Sequence, residues 1–271
     1  MAMTDDVGVS EVVVRAKGEI SAVERGYARE KIGRLQGVAP GPVLYCTIDL
    51  ALEPDPARER RAVAKAAFDV NGRIVRAHVA ATTVFEAIDA LEGRMREQLE
   101  RLAHHQESKQ LRHRDDTERE WRHGAVPTRR PSWFPRPADE REIVRRKTFG
   151  GGERTVDEAV IDMELLDHDF YLFTNSDTGV DNVVARAEQG DYELLEPTPS
   201  DAAARAMAPV RSSALRPGTM TPEDAVERLN LGDEPYVYFL DPDDGRGRVL
   251  YRRYDGHYGL IVPSQMAPMV R

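Results

Sequence analysis

The heptapeptide DPDDGRG, Asp241 to Gly247, gathers three carboxylates and two glycines and raises the question of a bound cation. A calcium loop of the helix-loop-helix kind needs oxygen ligands at positions 1, 3 and 5, a glycine at 6 and a bidentate Glu at 12. Asp241 and Asp243 suit the first two places, but Gly245 stands at the third and Arg252 at the last. The flanking runs YVYFL and RVLYRRY are β-branched and aromatic, so the stretch is expected to turn a hairpin rather than hold a metal. Other chemistry is equally thin. His104, His105, His113 and His123 are spaced too irregularly for a zinc site. The HRDD at His113 to Asp116 lacks a kinase setting, and the FGGGE at Phe149 to Glu153 precedes a helix without the Lys-Ser/Thr of a phosphate loop. Cys46 has no partner cysteine and sits in the apolar run VLYCTIDL, where a buried, inert thiol is expected. These residues predict no catalytic set, no metal and no cofactor.

The cations carry more information. Arg25, Arg29, Lys31 and Arg34 project from the polar side of one predicted helix, and Arg94 and Arg101 share a face of another that continues toward His105. Side by side on a sheet, the two helices would offer these charges to phosphates. Interleaved Glu24, Glu30, Glu97 and Glu100 equally suit an ordinary solvated surface.

The elements that must position them are legible. EVVVRAKG reads as a strand, Ser21 caps a helix with an apolar stripe of Tyr27, Ala28, Ile32 and Leu35, and Gly37 is expected to stop it. Two strands follow, then Asn71-Gly72 as a hairpin turn before RIVRAHVAA. Val84, Ile88, Leu91, Met95, Leu99 and Leu102 then recur at helical spacing. The order is β-α-β-β-β-α, an α+β domain with two helices on one face of a sheet.

The C-terminal half repeats itself. At an offset of 66, Val144 to Thr198 lies over Val210 to Ser264 without a gap, and 17 positions are identical. Each copy reads as a short lead strand (IVRRK, PVRSS), a helix capped by Thr155 or Thr221, and three strands, giving two tandem small β-α-β-β-β domains. Asp177 and Gly179 fall on Asp243 and Gly245, so the turn residues recur while the carboxylates do not.

The formal charge of −9 conceals an asymmetry. Residues 1 to 147 hold 27 Lys and Arg against 24 Asp and Glu, whereas residues 148 to 271 hold 11 against 23. A mildly basic half joined to an acidic one suggests nucleic acid at one end and another partner at the other. No apolar run approaches the roughly 18 residues of a membrane span, and MAMTDDVGVS is unlike a signal peptide, so a cytoplasmic protein without membrane contact is expected.

The segment IVRRKTF, followed by TVDEAVIDMELLDHDFYLFTNSDTGVDNVVARAEQGDYELLEP, resembles the C-terminal domain of long-form ribosome hibernation promoting factors, and AATTVFEAIDALEGRMREQLERL resembles the last helix of their ribosome-binding domain. The resemblance implies a non-enzymatic protein that sits on the small ribosomal subunit and its 16S rRNA at the decoding region and keeps idle ribosomes inactive under stress. It implies a ribosome-binding domain over 1–105, a charged, Pro-rich linker over 106–142 with Trp121, Trp133 and Phe134, and dimerisation-type domains over 143–200 and 209–271. Arg25, Lys31, Arg34, Arg94 and Arg101 match family cations, while Glu97, Ala103 and His105 fall where the family often has Lys or Arg. The second copy departs from the family. It suggests that Phe170, Tyr171 and Phe173 pair with Tyr236, Tyr238 and Phe239 within one chain, so that single ribosomes are silenced without being joined. A stress adaptor binding other RNA or protein, and a factor that dimerises ribosomes, are the alternatives.

Overall fold

In the computed structural model, the structure describes residues 10–53, 59–111, 136–149, 153–187, 191–232, 234–253 and 255–263. Trp121, Trp133 and Phe134 lie outside them. The chain divides into two compact units, one built from Met1–Glu120 with the short segment Glu164–His168 and the other chiefly from the remainder of the C-terminal half.

The first unit contains strand β1 (Val12–Lys17), helix α1 (Ala22–Gly33), strands β2 (Val43–Leu52), β3 (Ala62–Val70) and β4 (Arg73–Ala81), and helix α2 (Val84–Leu111). The sheet order is β1-β2-β3-β4, with β1 parallel to β2 and the other pairs antiparallel. Ser21 and Glu24 form a reciprocal capping box that satisfies two backbone N–H groups at the start of α1. The helix ends earlier than Gly37. At Gly33 the chain tightens into a 3-10 turn over Arg34–Val38, which keeps Leu35 buried. Asn71 and Gly72 both take positive φ, 53° and 82°, as a two-residue hairpin turn requires.

Strand β3 alternates strictly between buried and half-buried residues, and its buried side is Ala62, Ala64, Ala66, Phe68 and Val70. The run of alanines leaves room for Ile88, Leu91, Met95, Leu99 and Leu102 of α2 and Ile32 of α1, all fully buried. Each such side chain contributes about 1.5–3 kcal/mol by leaving water. Helix α2 extends to Leu111, beyond the expected domain limit at residue 105.

The second unit carries both C-terminal copies. Strand β5 (Ile143–Phe149) is followed by helix α3 (Val156–Leu165) and strands β6 (Phe170–Thr174), β7 (Asp181–Arg186) and β8 (Tyr192–Leu195). A short helix α4 (Ala202–Arg205), which the sequence pattern did not suggest, leads to strand β9 (Val210–Ser212). Then come strand β10 (Gly218–Thr219), also unanticipated, helix α5 (Pro222–Leu231) and strands β11 (Tyr236–Leu240), β12 (Gly247–Arg252) and β13 (Tyr258–Pro263). Thr155 with Glu158 and Thr221 with Asp224 cap the two helices in the same way. The strands form two sheets, β6-β7-β8-β9 and β10-β11-β12-β13-β5. The lead strand of each copy is therefore paired in the sheet of the other.

Candidate nucleic-acid interface and the paired faces of the repeat

On α1, Arg29 is exposed, and among the described residues it has no ion-pair partner. Arg25 is held by its own chain, Nη1 donating to the carbonyl of Ile20 at 2.9 Å. Arg34 pairs with Glu30 one turn back. Lys31 donates to Asp89 of α2, which also accepts from the Tyr27 hydroxyl at 2.7 Å, and its ammonium lies 5.2 Å from the Tyr27 ring centre. The hydrogen bond to Asp89 raises the Lys31 ammonium well above its ordinary value, so the group stays charged. Lys31 thus ties the two helices together as well as presenting charge.

The two arginines of α2 have different surroundings. Within the first unit, the Arg94 side chain is only 9% exposed, and its Nη2 donates to Asp167 at 2.7 Å. The backbone N–H of His78 donates to the same carboxylate at 3.1 Å. Burial on its own would raise the Asp167 carboxyl, but the hydrogen bonds from His78 and Arg94 outweigh it and hold the group well below the usual carboxylate range. Arg101 Nη1 donates to Glu164 at 2.9 Å. In this conformation Arg94 and Arg101 are engaged with carboxylates, and a phosphate would have to take their place. His105 is half-buried near the end of the described helix surface.

In the second unit the six aromatic residues divide between two faces, because strand residues alternate sides. Phe170 of β6 and Tyr236 and Tyr238 of β11 line the face where the sheets meet, with Leu172, Val183, Ala185, Leu195 and Val249 in one apolar cluster. The Phe170 and Tyr236 rings lie 4.4 Å apart, and Tyr251 adds a further ring 5.9 Å from Phe170. Tyr171, Phe173 and Phe239 do not reach this face. Tyr171 and Phe173 pack under α3, and Phe239 packs under α5. The expectation that all six lie between the copies is corrected for these three by the period of two along a strand.

A polar cluster missed in the sequence completes the face. The Asp181 carboxylate, 3% exposed, accepts from Arg246 Nε at 2.6 Å, Arg246 Nη2 at 3.0 Å, the Gly247 backbone N–H at 2.9 Å and Thr174 Oγ1 at 2.9 Å. The Tyr238 hydroxyl donates to the Asp181 carbonyl. A Cβ on Gly247 would stand 2.7 Å from that of Asp181, so the approach requires glycine. A signal was present in the repeat: Asp181 and Gly247, like Phe170 and Tyr236, are 66 positions apart. Residues equivalent in two copies meet only on the axis that relates them.

Asp241 is a turn residue. Its Oδ1 accepts from the Asp243 N–H at 3.0 Å and its carbonyl from the Gly245 N–H at 2.9 Å, while Arg248 pairs with its carboxylate. In the first copy Asn175 does the same work, accepting from Asp177 at 3.0 Å and from Gly179 at 2.7 Å. Both glycines have positive φ, 68° and 67°. An amide serves as well as a carboxylate here, which is the behaviour of an Asx turn. Among the described residues no cluster of His, Cys, Asp and Glu could hold a metal ion, and no helix is long and apolar enough to cross a membrane.

Comparison with known proteins bears on both regions. Residues 138–194 and 210–260 match the family model "Sigma 54 modulation/S30EA ribosomal protein C terminus", so the two copies are two instances of one domain. The "Dormancy associated translation inhibitor" of Mycobacterium tuberculosis (strain H37Rv) is 32% identical over 151 residues, covering 49% of this chain and 55% of that protein. The chain thus spans about half the length of that relative. The "Ribosome hibernation promotion factor" of Bacillus subtilis (strain 168) is 44% identical over 57 residues, covering 21% of this chain and 30% of its own. That of Lactococcus lactis subsp. cremoris (strain MG1363) is 26% identical over 188 residues, covering 66% of this chain and 93% of its own.

Proposed function

We propose, for a chain that belongs to the ribosome hibernation promotion factor family, that it binds the small ribosomal subunit at the decoding region and keeps idle ribosomes inactive without catalysing a reaction. The first unit enters the space of messenger and tRNA anticodon stems. Arg25, Arg29, Lys31 and Arg34 of α1, with Arg94, Arg101 and His105 of α2, face the phosphates of 16S rRNA. Binding then falls with salt as bound counterions are released.

The two C-terminal copies pair with each other in one chain, so that single ribosomes are held. The observation that carries this part is the contact of Asp181 with Gly247 and Arg246. Two first copies from different chains, brought together in the same geometry, would set one Asp181 carboxylate against another. Like charges buried at that distance are strongly unfavourable. Two second copies would set glycine against glycine and lose both the ion pair and the backbone hydrogen bond. The face is complementary between unlike copies and not between like ones, which is how specificity is built against a competing pairing.

Sedimentation of ribosomes with the purified protein tests the reading. Single ribosomes carrying the protein are expected at all protein concentrations. A peak of paired ribosomes that disappears when residues from 143 onward are deleted would overturn the single-ribosome part, and absence of binding to small subunits would overturn the whole.

A further inference from the structure

Arg94, Gln98 and Arg101 stand at positions i, i+4 and i+7 of α2 and form one stripe along the helix, the two arginines about 10 Å apart along its axis. Within the first unit this stripe meets the short segment Glu164–His168. Asp167 accepts from Arg94 at 2.7 Å, and Glu164 accepts from Arg101 at 2.9 Å. The Asp167 carboxylate also accepts the backbone N–H of His78 at 3.1 Å, a donor on the edge strand β4. Asp167 itself has a left-handed backbone, φ 52°, and its N–H donates to the Glu164 carbonyl at 3.0 Å. In that turn two acidic residues three apart in sequence engage two arginines seven apart on a helix.

The contact is peculiar to the first copy. At the offset of 66, Asn230 stands where Glu164 does, and it accepts from Arg141 Nη1 at 2.7 Å and from the Tyr258 hydroxyl within the second unit. Leu165 is 2% exposed although the core under α3 draws on Val156, Ala159, Val160 and Met163 without it, whereas its counterpart Leu231 is 91% exposed. The repeat therefore folds without this corner being covered. The stripe is also imperfectly matched to its cover. Gln98 is fully buried, yet among the described residues neither its Nε2 nor its Oε1 has a hydrogen-bond partner, and Arg94 Nε has none either. Buried amides are nearly always satisfied, so these atoms suit a ligand that the two carboxylates only partly replace. The backbone of RNA offers phosphate oxygens to the guanidinium groups and 2′-hydroxyls, which both donate and accept, to the amide.

We propose that Glu164 and Asp167 occupy the places of two RNA phosphates on α2, so that the free chain holds this part of its nucleic-acid surface shut, and that Gln98 becomes an RNA ligand when the segment withdraws. The inference rests on the RNA-binding reading given above and adds its regulation. The carboxylates compete from within the chain at an effective concentration on the order of millimolar, so RNA must displace them. Phosphate prevails because each group brings more acceptor oxygens to a guanidinium and because neighbouring nucleotides engage the cations of α1 at the same time. Weak or isolated phosphates are thereby refused, and an extended RNA backbone is accepted.

Glu164→Gln combined with Asp167→Asn removes both charges at nearly constant shape, and asparagine tolerates the left-handed backbone at 167. In the full chain this double variant is expected to bind purified small subunits about tenfold more tightly than the wild type. Equal or weaker binding would overturn the proposal. The wild type supplies an independent measurement that needs no variant: hydrogen exchange in residues 164–168 should quicken when small subunits are bound, and protection that is kept or increased there would show that the segment stays on α2. Gln98→Leu should bind small subunits about fivefold less tightly. Its thermal midpoint should hold or rise, because an unsatisfied buried amide has been removed. A lowered midpoint with unchanged binding would make Gln98 a structural residue and end its assignment to RNA. Absence of wild-type binding would remove the functional reading itself, whereas wild-type binding that ignores all these changes would remove only the closure by Glu164 and Asp167.

Discussion

Asp181 and Gly247 occupy the same place in two copies of one domain and touch each other, the carboxylate accepting the glycine N–H at 2.9 Å. A duplicated domain has here diverged at its own axis into two halves of one contact. Gly247→Ala is expected to destabilise the chain by about 1–3 kcal/mol, because a methyl must be forced against Asp181 and the Tyr238 ring. Gly245→Ala, with positive φ but open space around its Cβ, tests backbone strain alone. Urea unfolding of both variants checks the comparison, and an unchanged midpoint for Gly247→Ala would remove the axis contact from the argument.

Phe170 and Phe173 separate pairing from folding. Phe173 is 1% exposed under α3, and its truncation to Ala should cost about 3–5 kcal/mol and unfold the first copy. Phe170 stacks on Tyr236 instead, so Phe170→Ala should leave the helical signal intact while loosening the face between the sheets. Hydrogen exchange would report this as faster exchange in β7 and β12 than in α3 and α5.

Local signals in the sequence held because they are local. Ser21, Thr155, Thr221 and the Asn71-Gly72 turn act on their immediate neighbours, and the structure places each as its type demands. The apolar spacing of α2 likewise found its buried stripe. What escaped was non-local. The period along FYLF and YVYF says that residues alternate, but not which side faces a helix and which a second sheet, and in the structure Tyr171, Phe173 and Phe239 lie on the helix side. Strand exchange leaves no mark in a repeat, because β5 has the same residues whichever sheet it joins. The ion pairs of Arg94 and Arg101 depend on Asp167 and Glu164, more than sixty positions away.

Cys46 should be chemically silent in the folded protein. It is fully buried on β2, and burial pushes its thiol up to about 12. A thiol whose folded value lies above its unfolded value contributes stability that is fully present below about 8.5 and is lost as pH rises toward 12. At pH 8 a thiolate reagent should therefore label the native chain far more slowly than the urea-unfolded one. Equal rates would place Cys46 outside the core.

The cations of α1 and α2 can be ranked by how they are held. Arg29 is exposed and without an ion pair among the described residues, so Arg29→Glu should leave thermal stability unchanged, weaken small-subunit binding and lower the slope of log K against log salt by about 0.7–0.9 for one lost phosphate contact. Lys31 braces Asp89 as well as carrying charge, so Lys31→Ala should reduce both stability and binding. Arg94 is 9% exposed and satisfies the buried Asp167, so Arg94→Glu should destabilise the first unit by about 3–5 kcal/mol through the unpaired carboxylate. Arg94→Lys separates the two roles. It retains the charge that phosphate needs while giving up the planar guanidinium. Binding that survives in Arg94→Lys at reduced stability would assign Arg94 to the fold, whereas lost binding at unchanged stability would assign it to RNA.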